Sequence, residues 1–185
     1  NKNQLQSGNH NASDLANVLT LTSFNETYFI GLQIFNLPLE EWLFFICIPF
    51  ACVFTHYVLL LYFPKTSLSE RITKKICKIL VVTLIILSIL NYNKWYTLIN
   101  FSLAIIVITI VYNYNFKLLQ KYLITFLVIL IPFFIVNGVL TGSFIEDQVV
   151  WYNNAENLNI RLGTIPIEDT IYAFTMILNT LFFTE

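Results

Sequence analysis

Charge is scarce in this sequence. Asp, Glu, Lys and Arg make up 11% of the 185 residues, where a soluble globular domain carries roughly 25%. With 57% hydrophobic residues alongside, the chain has too little polar surface for a water-soluble globule, and a lipid bilayer is the solvent that fits. The charge that exists is balanced, ten basic residues against 11 acidic for a net −1. No basic excess is available to neutralise a phosphate backbone, which excludes nucleic acid as a partner. Cysteine is limited to Cys47, Cys52 and Cys77, with neither the spacing of a metal site nor the pattern of a secreted disulfide framework; all three read as packing residues. Also missing are a Gly-x-Gly-x-x-Gly turn, a phosphate loop and any His or Cys cluster, so neither a Rossmann flavin or nucleotide site nor a bound metal is expected. Three Asn-x-Ser/Thr patterns, at Asn11, Asn25 and Asn100, are too short to carry weight, and the third lies in apolar text.

What is present is a series of long apolar runs. A spanning helix needs roughly 20 mostly apolar residues, and the sequence predicts about five: 42–63, 76–92, 95–112, 122–140 and a short one at 170–183. The fold class expected is therefore all-α, a multispanning transmembrane bundle. Trp42, Tyr62, Tyr92, Trp95, Tyr96, Tyr112, Tyr114 and Tyr122 fall near helix ends, where amphipathic rings settle at headgroup level. Pro49 and Pro132 lie inside helices that neighbours in a bundle can support. Lys65, Arg71, Lys74, Lys75 and Lys78 follow the first helix, and Lys117 and Lys121 precede the fourth. Positive loops favour the cytoplasm, so the first and fifth helices are both predicted to run inward from the outer face. The opening stretch before Asn25 is polar, begins with Asn rather than Met, and reads as a tail or the edge of a fragment.

Two segments repeat. Ile34-Phe35-Asn36-Leu37-Pro38-Leu39-Glu40-Glu41 and Leu162-Gly163-Thr164-Ile165-Pro166-Ile167-Glu168-Asp169 share the order apolar, Pro, apolar, Glu, acid, each before an aromatic-rich run. A weaker likeness extends upstream, from Asn25–Ile34 against Asn153–Leu162. Internal duplication is the simplest account. It divides the chain into a tail (1–24), a first half-unit (25–112) with its acids at 38–41, and a second (113–185) with its acids at 166–169. Proline is expected in the first helical turn, where its missing N–H is no loss, followed by carboxylates at the positive end of the helix dipole. That role needs no chemistry. The doubled copy, and acids at the mouth of an apolar bundle, favour a functional one: desolvated neighbouring carboxyls resist joint ionisation, and one can keep a proton.

The text 35–59, together with 151–174, resembles the signature pair of the lycopene cyclase family, small membrane-embedded proteins of carotenoid synthesis found as fused or paired half-units. The resemblance covers nearly everything from Asn25 onward and is most specific over Leu37–Thr55 and Trp151–Phe174. It implies a lycopene β-cyclase, an isomerase-type enzyme of the cytoplasmic membrane that folds the open end of a linear polyene into a six-membered ring without net redox change. The acid–base groups implied are Glu40, Glu41, Glu168 and Asp169. Trp42, Phe44, Phe45, Tyr172 and Phe174 are candidates to face a carbocation with their rings, against an equal expectation of packing or lipid contact. Arg161 is a candidate to pair with a carboxylate and mark it as the base, against a plain surface role. Pro38 and Pro166 are structural members of the motifs. The partners implied are lycopene or a related carotenoid, the bilayer, and a second cyclase half-unit in a homo- or hetero-oligomer. No cofactor is expected, with a need for reduced nucleotide or flavin left open.

Three alternatives stand beside this: a C50 carotenoid cyclase, the non-catalytic half of a heteromeric cyclase, and a transporter or proton-linked channel, which would place ionisable groups near the bilayer midplane. His56 lies about 20 Å along its helix from Glu41, too far to join a relay there. Asn100, Asn137 and Asn179 are expected to bridge helices, and Glu146, Asp147 and Glu156 to sit in a solvated loop.

Overall fold

The computed structural model describes residues 22–24, 30–35, 37–143 and 149–185. These form five helices: α1 (Leu39–Tyr62), α2 (Glu70–Leu90), α3 (Trp95–Tyr114), α4 (Phe116–Leu140) and α5 (Ile167–Thr184). Three, α1, α3 and α4, are long and apolar enough to cross a membrane. The other two fall short for identifiable reasons. Lys74, Lys75 and Lys78 occupy the first half of α2, and α5 has only 18 residues with Glu168 and Asp169 in its first turn.

α5 need not be apolar all round because protein, rather than lipid, covers much of it. Ala173, Phe174, Ile177, Leu178 and Leu181 are buried, a three-to-four-residue spacing that puts one stripe into the core. Against it α3 buries Phe101, Ala104, Val107, Ile108 and Val111. Tyr122 and Phe126 of α4 close the core around Phe174, with ring centroids 5.0 Å from it, and the Tyr122 hydroxyl donates to the Phe174 carbonyl at 2.6 Å. α1 is peripheral. Only Cys52 and His56 on it are buried, while Phe50, Phe54 and Leu61 are exposed, a surface suited to acyl chains and costly in water.

Side-chain contacts fix the helix directions. Thr97 at the start of α3 bonds Glu168 at the start of α5, so α3 and α5 run the same way. Asn115 ahead of α4 reaches Glu185 after α5, and Thr141 after α4 reaches Thr164 before α5, so α4 runs oppositely. His56, late in α1, stands near Glu185, making α1 parallel to α5.

Three small antiparallel pairings, too short to show a period-2 pattern, decorate the end where α1, α3 and α5 begin. β1 (Thr22–Phe24) pairs with β4 (Val150–Tyr152). β2 (Gln33–Ile34) pairs with β3 (Leu37–Pro38), and β5 (Arg161–Leu162) with β6 (Ile165–Pro166). The last two are hairpins with the same register, Gln33↔Pro38 and Arg161↔Pro166, displaced by 128 positions. The first central residue of each turn has positive φ, Phe35 at 53° and Gly163 at 68°, as primed hairpin turns require. Each unit ends in the same bond, Leu39 N to Leu32 O and Ile167 N to Ile160 O, both 3.0 Å. The prolines therefore do not occupy the first helical turn, as expected from sequence. Each closes a hairpin, and Pro166 is the N-cap of α5 with extended ψ of 141°; a fixed φ and absent N–H suit that exit equally well.

Candidate active site

Both acid pairs lie in the first turns of parallel helices. Glu168 is fully buried and Asp169 is 6% exposed. Glu168 Oε1 accepts from Thr97 Oγ1 at 2.7 Å and from the Leu158 N–H at 2.6 Å, while its backbone carbonyl accepts from Asn100 Nδ2 at 2.7 Å. Asp169 is clasped by two phenols: Tyr96 donates to Oδ1 and Tyr152 to Oδ2, each at 2.5 Å. The two rings lie 6.2 Å apart. Burial first, and the Asp169 carboxylate second, hold the Tyr152 phenol far above its ordinary range, with a smaller contribution from Glu41. Glu41 stands in the first turn of α1, a helix that packs against α5 and starts at the same end. Tyr172 feels both Glu41 and Asp169.

The first motif repeats part of this pattern. Glu40 Oε1 accepts the Ile30 N–H at 2.9 Å, the counterpart of Leu158 N on Glu168, again 128 positions apart. In both residues Oε2 is buried without a hydrogen-bond partner among the described residues.

The loop between β4 and β5 holds the second site in place. Glu156 caps α3: its carboxylate accepts the Trp95 N–H at 3.0 Å and its carbonyl those of Tyr96 and Thr97 at 3.2 and 3.4 Å. Helix N-termini leave such donors unpaired, and an anion there also meets the dipole favourably. Glu156 is accordingly a structural anchor rather than one more solvated loop acid. Glu146 and Asp147 lie outside the described residues. Arg161 donates to Thr164 O and Asn154 Oδ1, both at 2.7 Å, stapling β5 to the turn and the loop; no carboxylate is within ion-pair distance of it among the described residues.

The aromatic candidates separate. Trp42 donates its indole N–H to Ile34 O at 3.0 Å, tying α1 to its hairpin. Phe44 and Phe45 stand edge to face, with Phe45 37% exposed. Tyr172 is near the acids, whereas Phe174 belongs to the α4–α5 core. Among the amides, Asn100 bridges α3 to α5; Asn137 bonds its own helix at Phe133 O and Asn179 is exposed. Tyr96, Thr97 and Tyr152 were not singled out by sequence as parts of the site, and nothing local marks them, since Thr97 and Tyr96 are 71 and 73 positions from the acids they meet.

The described residues contain no group of three or more His, Cys, Asp or Glu able to hold a metal. What the arrangement offers chemically is proton exchange: carboxyl groups with an oxygen that has no partner among the described residues, beside a carboxyl group that accepts from two phenols.

The family model described as lycopene cyclase matches residues 15–59 and 93–185, a span that contains both acidic motifs and every side chain of the site described above. The chain belongs to the lycopene cyclase family. Membership makes carotenoids the substrate class and cyclisation the chemistry, and with three apolar helices it marks a membrane protein. No curated protein and no solved structure matches the chain. All of α2 falls between the two matched stretches, and among the described residues none of its side chains bonds the four acids.

Proposed function

We propose that the protein is a lycopene β-cyclase of the cytoplasmic membrane, spanning it several times, with Glu40, Glu41, Glu168 and Asp169 as its acid–base groups. The observation that carries this reading is the placement of both acid pairs in the first turns, at one end of the parallel and mutually packed helices α1 and α5. Ring closure needs a donor strong enough to protonate an alkene, shelter for the tertiary cation, and a base; the first two demand a dry site. The enclosed carboxyl of Glu168 and the phenol-bound Asp169 meet those demands. Because the reaction has no net redox change, its balance requires no electron donor. The matching hairpins and backbone bonds at a constant spacing of 128 support two duplicated half-units.

The direct test is pigment chromatography of a lycopene-accumulating host expressing the gene. Six-membered β-rings are the expected product; a host that keeps only linear lycopene, while a known cyclase converts it, would falsify the reading. A midplane-sited transporter is disfavoured by acids confined to helix starts.

A second reading, in which the chain is one half of a heteromeric cyclase, is favoured by the inequality of the two sites. Glu168 and Asp169 draw hydroxyl donors from Thr97, Tyr96 and Tyr152, whereas Glu40 has the Ile30 N–H alone among the described residues. Ring formation that appears only on co-expression with a second half-unit would select it.

A further inference from the structure

The two acids of the second motif have opposite hydrogen-bonding arrangements. On Glu168 both donors converge on Oε1, and Oε2, fully enclosed, has no partner among the described residues. On Asp169 each oxygen accepts one phenol. A protonated carboxyl has one O–H donor and one accepting oxygen, whereas an ionised carboxylate only accepts. An enclosed, unpartnered carboxylate oxygen is costly; an O–H at that position lacks only an acceptor. Two short bonds from hydroxyl donors are what an ionised carboxylate gains most from.

Resting on the cyclase reading, we propose that Glu168 is the proton donor, acting through Oε2, and Asp169 the proton acceptor, with Tyr96 and Tyr152 as positioning residues that aim its oxygens. The Glu168 O–H breaks as the π pair of the terminal alkene takes the proton, leaving a tertiary cation. The π pair of the neighbouring alkene forms the ring bond and moves the cation into the ring. A ring C–H then gives its electron pair to the new double bond and its proton to Asp169. The substrate is isomerised, one proton passes from Glu168 to Asp169, and exchange with water restores both groups. The acceptor's placement decides which of the hydrogens flanking the final cation leaves, and hence which double-bond isomer of the ring forms.

This division of labour predicts different failures for the two acids. Glu168→Gln keeps an oxygen to accept from Thr97 and Leu158 but has no proton to give; ring formation should fall by at least about 100-fold, with the protein still present in the membrane fraction. Asp169→Asn should still start the reaction but lose control of its end, so that rings with a displaced double bond rise as a share of product. Tyr152→Phe and Tyr96→Phe should shift the isomer ratio the same way, more weakly. A merely structural role would lower all products together and leave the ratio alone.

E168Q making β-rings within about tenfold of wild type would overturn the donor assignment. An unchanged isomer ratio in D169N and Y152F would overturn the acceptor assignment. Should E168Q fail to accumulate, Glu168→Asp, which keeps a proton on a shorter arm, carries the donor arm: rings from it support the assignment, and their absence from an accumulating protein opposes it. A wild-type chain that makes no ring in the same host, either alone or co-expressed with a second half-unit, sinks the cyclase reading itself, a result separable from all of these.

Discussion

His56 Nε2 stands 3.9 Å from Glu185 Oε1, at the end of the bundle opposite the four acids. The imidazole is fully buried in α1 and its Nδ1 pairs with Thr125 Oγ1 of α4 at 2.8 Å. One side chain thus joins α1 to α4 by a hydrogen bond and approaches the residue that ends α5, a contact expected to help align α1 beside α5. His56→Leu removes it and leaves an apolar side chain of similar size in its place. The expected result is a loss of about 1–3 kcal/mol, read as a lower thermal unfolding midpoint in detergent. An unchanged midpoint would show that packing alone aligns the two helices.

Glu156 supports the site from outside it. Its carboxylate and carbonyl hold the first N–H groups of α3, and the next side chains on that helix, Tyr96 and Thr97, are the ones that reach Asp169 and Glu168. Glu156→Ala should cost about 1 kcal/mol as a lost cap, and ring yield per unit of membrane protein should drop several-fold because the donors move with the turn. Glu156→Gln retains an acceptor and should be milder on both measures. Equal yields from wild type and E156A would mean that the loop does not hold the helix start.

Much of the bundle was legible in the sequence because bilayer length and apolar content are local properties. The helix ends agree within a few residues for α3, at Trp95, whereas α1 and α5 begin three residues earlier than their apolar text, at Leu39 and Ile167, because the acids are inside the first turn. α4 begins six residues early, at Phe116, where the Asn115 side chain caps it by accepting the Leu118 N–H. The hairpins leave no mark in the sequence, since two-residue strands have no periodicity to read. The acids are marked in the sequence by their duplication. Their partners are not, because Tyr96 is legible only as an interfacial ring and Tyr152 only as part of a loop; the meeting of both at Asp169 is made by the packing of α3 and the β4–β5 loop on α5.

Gly163 and Gly138 make a controlled comparison. Gly163 has φ of 68° with open space where a methyl would be added, while Gly138 in α4 is helical, with Ser143 Oγ 3.4 Å from where a Cβ would sit. Gly163→Ala should cost about 1 kcal/mol from backbone strain alone. Since Arg161 bonds the neighbouring Thr164 carbonyl, the strain should also loosen the β5–β6 hairpin ahead of the acids and lower ring yield. Gly138→Ala should be close to neutral, helix propensity offsetting the tight contact. Thermal midpoints in detergent compare the two; a larger penalty at 138 would mean that space, not φ, governs these glycines.

The Tyr152 phenol supplies a dependence on alkaline pH. Burial and the Asp169 carboxylate raise its pKa in the folded protein above the ordinary value of about 10. The folded chain therefore holds this proton more tightly than the unfolded chain does. The stability linked to it is fully present below about pH 10 and is lost progressively as pH rises from there toward the folded value. Tyr152→Phe removes the titrating group along with its hydrogen bond to Asp169. The variant should melt lower than wild type near pH 8, by an amount corresponding to about 1 kcal/mol. Above about pH 10 its midpoint should fall less steeply, so that the two curves approach one another. Parallel curves across that range would show that the phenol–carboxylate contact contributes no proton linkage, and would weaken the placement of Tyr152 as the group that aims Asp169.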